Sequence, residues 1–268
     1  MTQAPQATFR AVVLAGERPG GSALSRAAGV AAGVLVPVAG KPAVERVIDA
    51  LEASPRVDDC LLCGPESSVA EASDVIRKLR ARDRVNWLAP EEGPAASTLA
   101  GLAFLDRYPA LVTAGDHALL SPAILDEFFA GVDGRDEDLL IGLVPYEAVR
   151  AAFPESRRTV LKFSDGGYCG SNLFAFLDRR ALDAVRFWRQ VESDRKRPWR
   201  VARRLGLWTL LRYLAGRCTV AEAFRQLSSR AGCTVGHVKL DSPAAAVDVD
   251  SVDDWRLAER ILSASGPA

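Results

Sequence analysis

Between Phe9 and Val149 the chain repeats one pattern. A short apolar run stops at a glycine, proline or aspartate, and a longer amphipathic stretch follows. "FRAVVLAG", "DDCLLCGP", "RVNWLAP", "PALVTAGDHALL" and "EDLLIGLVPYEAV" read as strands. Between them lie "PAVERVIDALEAS", "SSVAEASDVIRKLRAR", "AASTLAGLAFLDRY" and "SPAILDEFFAGV", which read as helices. In the first of these Val44, Val47, Ile48 and Leu51 share one face. Ser67 or Ser68 is a candidate N-cap of the second, and Ser121-Pro122 is a start signal for the last. Strands alternating with helices of this length imply a mostly parallel sheet covered on both sides. The expected fold class is therefore α/β, a three-layer α/β/α arrangement around a Rossmann-like central sheet. Ligands of such sheets bind beyond the carboxyl ends of the strands. The loop after Gly16, the Gly93 segment and the turn at Asp116 are expected to meet there.

After Val149 the rhythm changes. "RTVLKFSDGGYCGSNLFAF" reads as two strands joined by a turn at Asp165-Gly166-Gly167. Residues 179 to 230 then read as a helical insertion rich in Arg and Trp. "CTVGHVKLDSPAAAVDVDS" reads as two short strands and "VDDWRLAERILSA" as a closing helix. With no internal repeat or linker, one domain over residues 1–268 is expected.

Lys+Arg and Asp+Glu both number 34. With no net basic field to recruit it, nucleic acid is not an expected partner. No apolar run approaches the ~20 residues that span a bilayer, and Met1–Arg10 lacks a hydrophobic signal core, so a cytoplasmic location is expected. Five cysteines in a chain without that signal argue against a disulfide framework. Cys60 and Cys63 form a C-x-x-C inside an apparent buried strand, with no second pair to complete a zinc set, and read as core residues.

Three constellations could carry chemistry. Gly16, Gly20 and Gly21 let backbone N–H groups approach phosphate oxygens, and Arg18 and Arg26 can add charge-assisted hydrogen bonds. The loop is neither G-x-x-x-x-G-K-[ST] nor G-x-G-x-x-G. Asp116 in "TAGDHALLSP" leaves a strand at the ligand edge. Asp248 and Asp250 in "AAAVDVDSVDDW" leave another, where alternation puts both on one face. Mg²⁺ needs few protein carboxylates, and Asp116 and Asp250 are the expected pair. Asp248 divides evenly between a metal role and a charge at the N-terminus of the last helix. Lys162 is a candidate phosphate contact or a surface lysine. His117 and His237 read as structural.

"VVLAGERPGG", "LVPVAGKPAVERVIDAL", "EEGPAASTLAGL", "VTAGDHALLSP", "GSNLFAF" and "VDVDSVDDWRLAE" follow one another over nearly the whole chain. In this order they resemble the nucleotidyltransferase superfamily with the GT-A type fold, above all its molybdopterin-guanylyltransferase-like and cytidylyltransferase branches. The resemblance implies an enzyme that condenses an NTP with a phosphorylated acceptor and releases pyrophosphate. It places the triphosphate on Leu14, Ala15, Gly16, Arg18, Gly20 and Gly21, and the base near Gly93, Ser97 and Gly101. It places Mg²⁺ on Asp116 and Asp250, and the acceptor near Gly170 and Asn172. The chain departs from the family at Gly33, where a lysine is common, and Arg18, Arg26 or Lys41 are candidates to replace that charge.

These expectations lead to a Mg²⁺-dependent nucleotidyltransferase, with CTP favoured, acting on a small phosphorylated or phosphonylated alcohol or sugar. The alternatives are a molybdenum-cofactor guanylyl- or cytidylyltransferase and a nucleotide-binding protein of the same fold with impaired catalysis. In the insertion, Trp188, Trp199, Trp208 and Tyr213 alternate with Arg195, Lys196, Arg197, Arg200, Arg203, Arg204 and Arg212. A solvated helical face with packed tryptophans leads its readings. A basic lid over the acceptor and a peripheral contact with anionic lipid follow.

Overall fold

The computed structural model describes residues 7–17, 20–194 and 206–264. Its main sheet contains β1 (Phe9–Leu14), β4 (Val57–Cys63), β5 (Val85–Leu88), β6 (Ala110–Ala114), β7 (Leu139–Pro145), β9 (Gly166–Phe176) and β10 (Val235–Lys239). They stand in the order β10-β7-β9-β6-β1-β4-β5, and β8 (Leu161–Phe163) is added against β9. β1 runs parallel to β4 and β6, β4 to β5, and β7 to β10, whereas β9 is antiparallel to β6, β7 and β8. β2 (Pro37–Val38) and β3 (Lys41–Pro42) form a separate two-stranded ribbon.

The period-2 alternation decides which layer each side chain enters. Along β1, Ala11 and Val13 join one apolar cluster and Val12 the other. The first layer holds α2 (Ala43–Ala53) and α6 (Pro122–Val132), with Val47, Ile48, Phe128 and Phe129 fully buried. The second holds α5 (Pro94–Leu105), α8 (Ala181–Ser193) and α10 (Val220–Ala231). This is the expected three-layer α/β/α architecture. A third cluster joins α1 (Ala23–Ala28) to α11 (Val252–Ala264) through Leu24, Val36, Val247, Val249 and Leu257. The segment after Gly21 folds as a short helix seated on the C-terminal one. Its start is closed by a capping box between Ser22 and Ser25.

Three expectations need correction. The second helix is two, α3 (Ser67–Ala72) and α4 (Asp74–Arg80), because Ser73 takes an extended conformation and its side chain caps α4 through the Ile76 N–H. "YEAV" belongs to α7 (Tyr146–Ala152), not to β7. After β10, Pro243–Ala246 form a 3₁₀ turn and no second strand follows. In the insertion α9 (Leu207–Leu214) follows α8 and precedes α10 along the chain, and the two tryptophans described there are not packed: Trp188 is 55% and Trp208 73% exposed. Tyr213 does pack, edge-on against Phe163, while Arg212 pairs with Glu222. Trp199 and the basic residues from Arg195 to Arg204 lie outside the described residues.

Cys60 and Cys63 are buried in β4, and desolvation pushes both thiols up to about 12. All five cysteines are buried and unpaired. Among the described residues no helix is long and apolar enough to cross a membrane.

Candidate active site

The carboxyl ends of β1, β4 and β6 meet at one edge. The Gly115 N–H donates to the Leu14 carbonyl at 2.8 Å, and the Ala15 N–H donates to the Cys63 carbonyl at 2.7 Å. Ala15 is fully buried between them. The Leu14 carbonyl and the Ala15 N–H are therefore spent on the ladder, and the loop turns free of the sheet only at Gly16.

A carboxylate occupies the concavity of that loop. Glu17 Oε1 accepts from the Ser22 N–H at 2.7 Å and from the Ser25 hydroxyl at 3.1 Å. Its Oε2 accepts from the Gly33 N–H at 2.7 Å. An acid thus sits beside Gly33, the position of the missing lysine. In the sequence Glu17 is marked only as an acidic residue inside a glycine-rich turn. Arg26 donates to the carbonyls of Gly20 and Gly21, each at 3.2 Å, and braces the loop. The Lys41 ammonium pairs with Asp49 at 2.7 Å, on the surface of α2. Arg18 lies outside the described residues.

Asp116 follows β6, and its backbone explains why Asp250 reaches it. The Val249 N–H donates to the Asp116 carbonyl at 3.0 Å, while Val247 and Val249 are buried beside Ala118 and Leu119. Alternation then turns Asp248 and Asp250 outward. Burial and the charges of Asp250 and Asp248 push the Asp116 carboxyl up to about 8. Asp250, exposed at the rim, is raised as well, by partial desolvation and by Asp248. Asp116 Oδ1 is buried without a hydrogen-bond partner. Two facing carboxylates, one with an orphaned buried oxygen, suit a hard divalent cation that keeps waters and phosphate oxygens for its other positions. Among the described residues no group of three or more His, Cys, Asp or Glu is arranged to hold a metal.

Asp248 is spoken for. Its Oδ1 is bonded by Arg158, and its Oδ2 accepts from Asn172 Nδ2 at 3.2 Å. Asn172 is aimed there by a bulge. Ile141 pairs with Phe174 but Leu143 with Gly170, leaving Ser171, Asn172 and Leu173 opposite Gly142 alone. Asn172 takes φ +54°, and Gly170 next to the bulge is open to solvent. The helix-terminus role considered for Asp248 belongs to Ser251, whose hydroxyl accepts from the Asp254 N–H at 3.2 Å.

Ser97 is buried, and its hydroxyl accepts from the Glu91 N–H at 2.9 Å, closing the turn before α5. Gly101 lies where α5 crosses β1. A Cβ there would come within 2.8 Å of Val12 Cγ1, so its place is helix–sheet packing. Gly93 caps α5 beside the half-buried Glu192 carboxylate. Lys162 pairs with Gly167 on the β8–β9 hairpin, five residues of strand from Asn172, about 17 Å. His117 is fully buried, and desolvation pushes it down to about 4, so it is neutral. His237 packs against Phe224 and Tyr168.

Residues 11–233 match the family model described as MobA-like NTP transferase domain. Among solved structures, a hypothetical transferase structure from Thermus thermophilus is 28% identical with a TM-score of 0.75, over 92% of this chain and 99% of that one. 4-Diphosphocytidyl-2C-methyl-D-erythritol synthase from Anaerococcus prevotii DSM 20548 shares the fold at 14% identity and a TM-score of 0.58, over 97% and 100% of the chains. CMP:2-keto-3-deoxy-manno-octonic acid synthetase complexed with CTP does so at 11% and 0.59, over 97% and 100%. No curated protein matches the sequence.

Proposed function

This chain belongs to the MobA-like NTP transferase domain family and is a nucleotidyltransferase, and from the acidic pair at its sheet edge we propose a Mg²⁺-dependent enzyme. It joins an NTP, CTP by preference, to a small phosphorylated or phosphonylated alcohol or sugar. The observation that carries this reading is the closeness of Asp250 to Asp116, whose Oδ1 is buried without a hydrogen-bond partner.

Asp116 and Asp250 would hold the cation, which when bound neutralises charge on the nucleotide phosphates. In the transfer an acceptor phosphate oxygen forms a bond to the α-phosphorus as the bond to the bridging β-oxygen breaks, and pyrophosphate leaves. The nucleophile is already an anion at neutral pH, so no side chain has to remove a proton. The protein's task is to bring two anions together and keep them aligned. The open backbone at Gly16, Gly20 and Gly21 receives the triphosphate, with Arg18 as its cationic candidate. Gly170 and Asn172 border the acceptor. A pyrophosphate-release assay across CTP, GTP, ATP and UTP, paired with phosphorylated and phosphonylated alcohols and sugars, is expected to peak with CTP. Silence over the whole panel with Mg²⁺ present would remove the enzymatic reading.

Glu17 favours a second reading, in which the protein binds a nucleotide without turning it over. Its carboxylate already takes the Ser22 and Gly33 N–H groups and repels incoming phosphate. Charge-assisted hydrogen bonds contribute about 1.5–3 kcal/mol each. Glu17→Gln is therefore expected to tighten NTP binding about tenfold. Calorimetry checks this, and an unchanged Kd would take Glu17 out of the ligand's reach.

A further inference from the structure

Arg158 is 7% exposed at its side chain and sits behind the acidic pair, not in it. Its guanidinium binds the Asp248 carboxylate and the Asp254 carboxylate. It also donates to the Asp248 carbonyl at 3.3 Å from both terminal nitrogens, and Nε donates to Ser156 Oγ at 3.0 Å. One planar cation thus grips the backbone two residues before Asp250 and, through Asp254, the first turn of α11 just after it. The segment carrying Asp250 is held from both sides. Asp248, pinned by the same guanidinium, uses its other oxygen to take the Asn172 amide.

We propose that Arg158 is the positioning residue of this site. It holds Asp248 as a bracket between the metal side and the acceptor side, so that Asp250 meets Asp116 while Asn172 faces the acceptor. Asp248 is on this reading a strut and not a metal ligand. The inference rests on the proposed metal role of Asp116 and Asp250.

Two ideas about Arg158 predict opposite signs. If it acts only as a nearby positive charge, removing that charge lessens repulsion of a cation and tightens metal binding. If it positions the segment, any change that loses its several bonds weakens metal binding even when the charge is kept. The experiment is Mn²⁺ binding to the full-length protein without nucleotide, followed by the loss of the free-ion electron paramagnetic resonance signal. The temperature is kept well below each variant's melting point. Arg158→Lys keeps the charge and cannot span Asp248 and Asp254 together; it is expected to weaken Mn²⁺ binding about tenfold. The double variant Arg158→Met/Asp248→Asn removes both charges of the pair, leaves Asp254 its Ser251 donors and guards against misfolding of a single neutral variant; it is expected to show the same loss. Asp248→Asn alone keeps an oxygen toward Arg158 and is expected to stay within about threefold of wild type.

Unchanged or tighter Mn²⁺ binding in Arg158→Lys and in the double variant overturns the positioning role. A loss in Asp248→Asn as large as in Asp250→Asn overturns the strut and makes Asp248 a ligand. If wild type itself binds no Mn²⁺, the metal reading fails and this inference with it. If wild type binds and the Arg158 variants bind equally well, only the inference fails.

Discussion

Asp116→Asn is expected to lower turnover by roughly three orders of magnitude, about 4 kcal/mol of transition-state stabilisation, and to raise the melting temperature. The two effects share a cause. Asp116 is held among like charges, with one buried oxygen unpaired, and its carboxyl is raised to about 8. An acid whose pKa is higher folded than unfolded costs no stability below the ordinary carboxylate range. The cost accumulates as pH rises from that range to the folded value and is complete above it. The metal-free Asn variant should therefore outlast wild type by about 2–4 °C at pH 8, the equivalent of about 1 kcal/mol in a chain of this size. That gap should shrink as pH falls toward the ordinary carboxylate range. Mg²⁺ should raise the melting temperature of wild type and leave the variant unmoved. Calorimetry with and without Mg²⁺ at two pH values checks each part, and retained turnover in the variant would remove Asp116 from the site.

The contrast between Asp116 and Asp248 shows how far the chain could be read in advance. The alternation of apolar Val247 and Val249 with the acids sends Asp248 and Asp250 to one face even though the expected strand is absent, and Asp116 lies beside them at the end of β6. Which of the two later acids stays available depends on Arg158, 90 residues before Asp248, and no local pattern carries that distance. Glu17 was hidden for a related reason. Glycines in a turn advertise exposed N–H groups equally well whether a phosphate or the chain's own carboxylate fills them.

Ser97 and Gly101 mark an ambiguity of another kind. The spacing G-x-x-x-S-x-x-x-G puts Gly93, Ser97 and Gly101 on one stripe of a helix, whatever that stripe faces. Here it faces β1 and the preceding turn, and small residues let α5 approach Val12 closely. The sheet was legible because strand and helix periods differ and repeat. The antiparallel course of β9 was not, since a strand buried between β6 and β7 carries no mark of its direction.

Gly64→Ala should be the most damaging single-methyl change near the site. Gly64 follows β4 with φ +105°, a conformation that costs an L-residue about 1–2 kcal/mol. A Cβ there would stand 2.6 Å from the Ala15 carbonyl carbon, and 2.7 Å from both its oxygen and the Gly16 nitrogen. Those atoms are backbone at the root of the first loop, held by the Ala15–Cys63 and Gly115–Leu14 hydrogen bonds, so no side chain can swing aside. Overpacking of this kind adds about 1–3 kcal/mol. The sum, about 2–5 kcal/mol, corresponds to a fall of roughly 4–20 °C in melting temperature. Relief can come only by pushing Ala15 and Gly16 outward, which moves the triphosphate cradle away from Asp116. Nucleotide affinity should therefore drop together with stability. Gly170→Ala is the matched control, since a Cβ there meets nothing within 4 Å and should leave the melting temperature in place. Thermal melts and nucleotide titrations of the two variants check this, and a Gly64→Ala protein as stable as wild type would show that the first loop is not braced by β4.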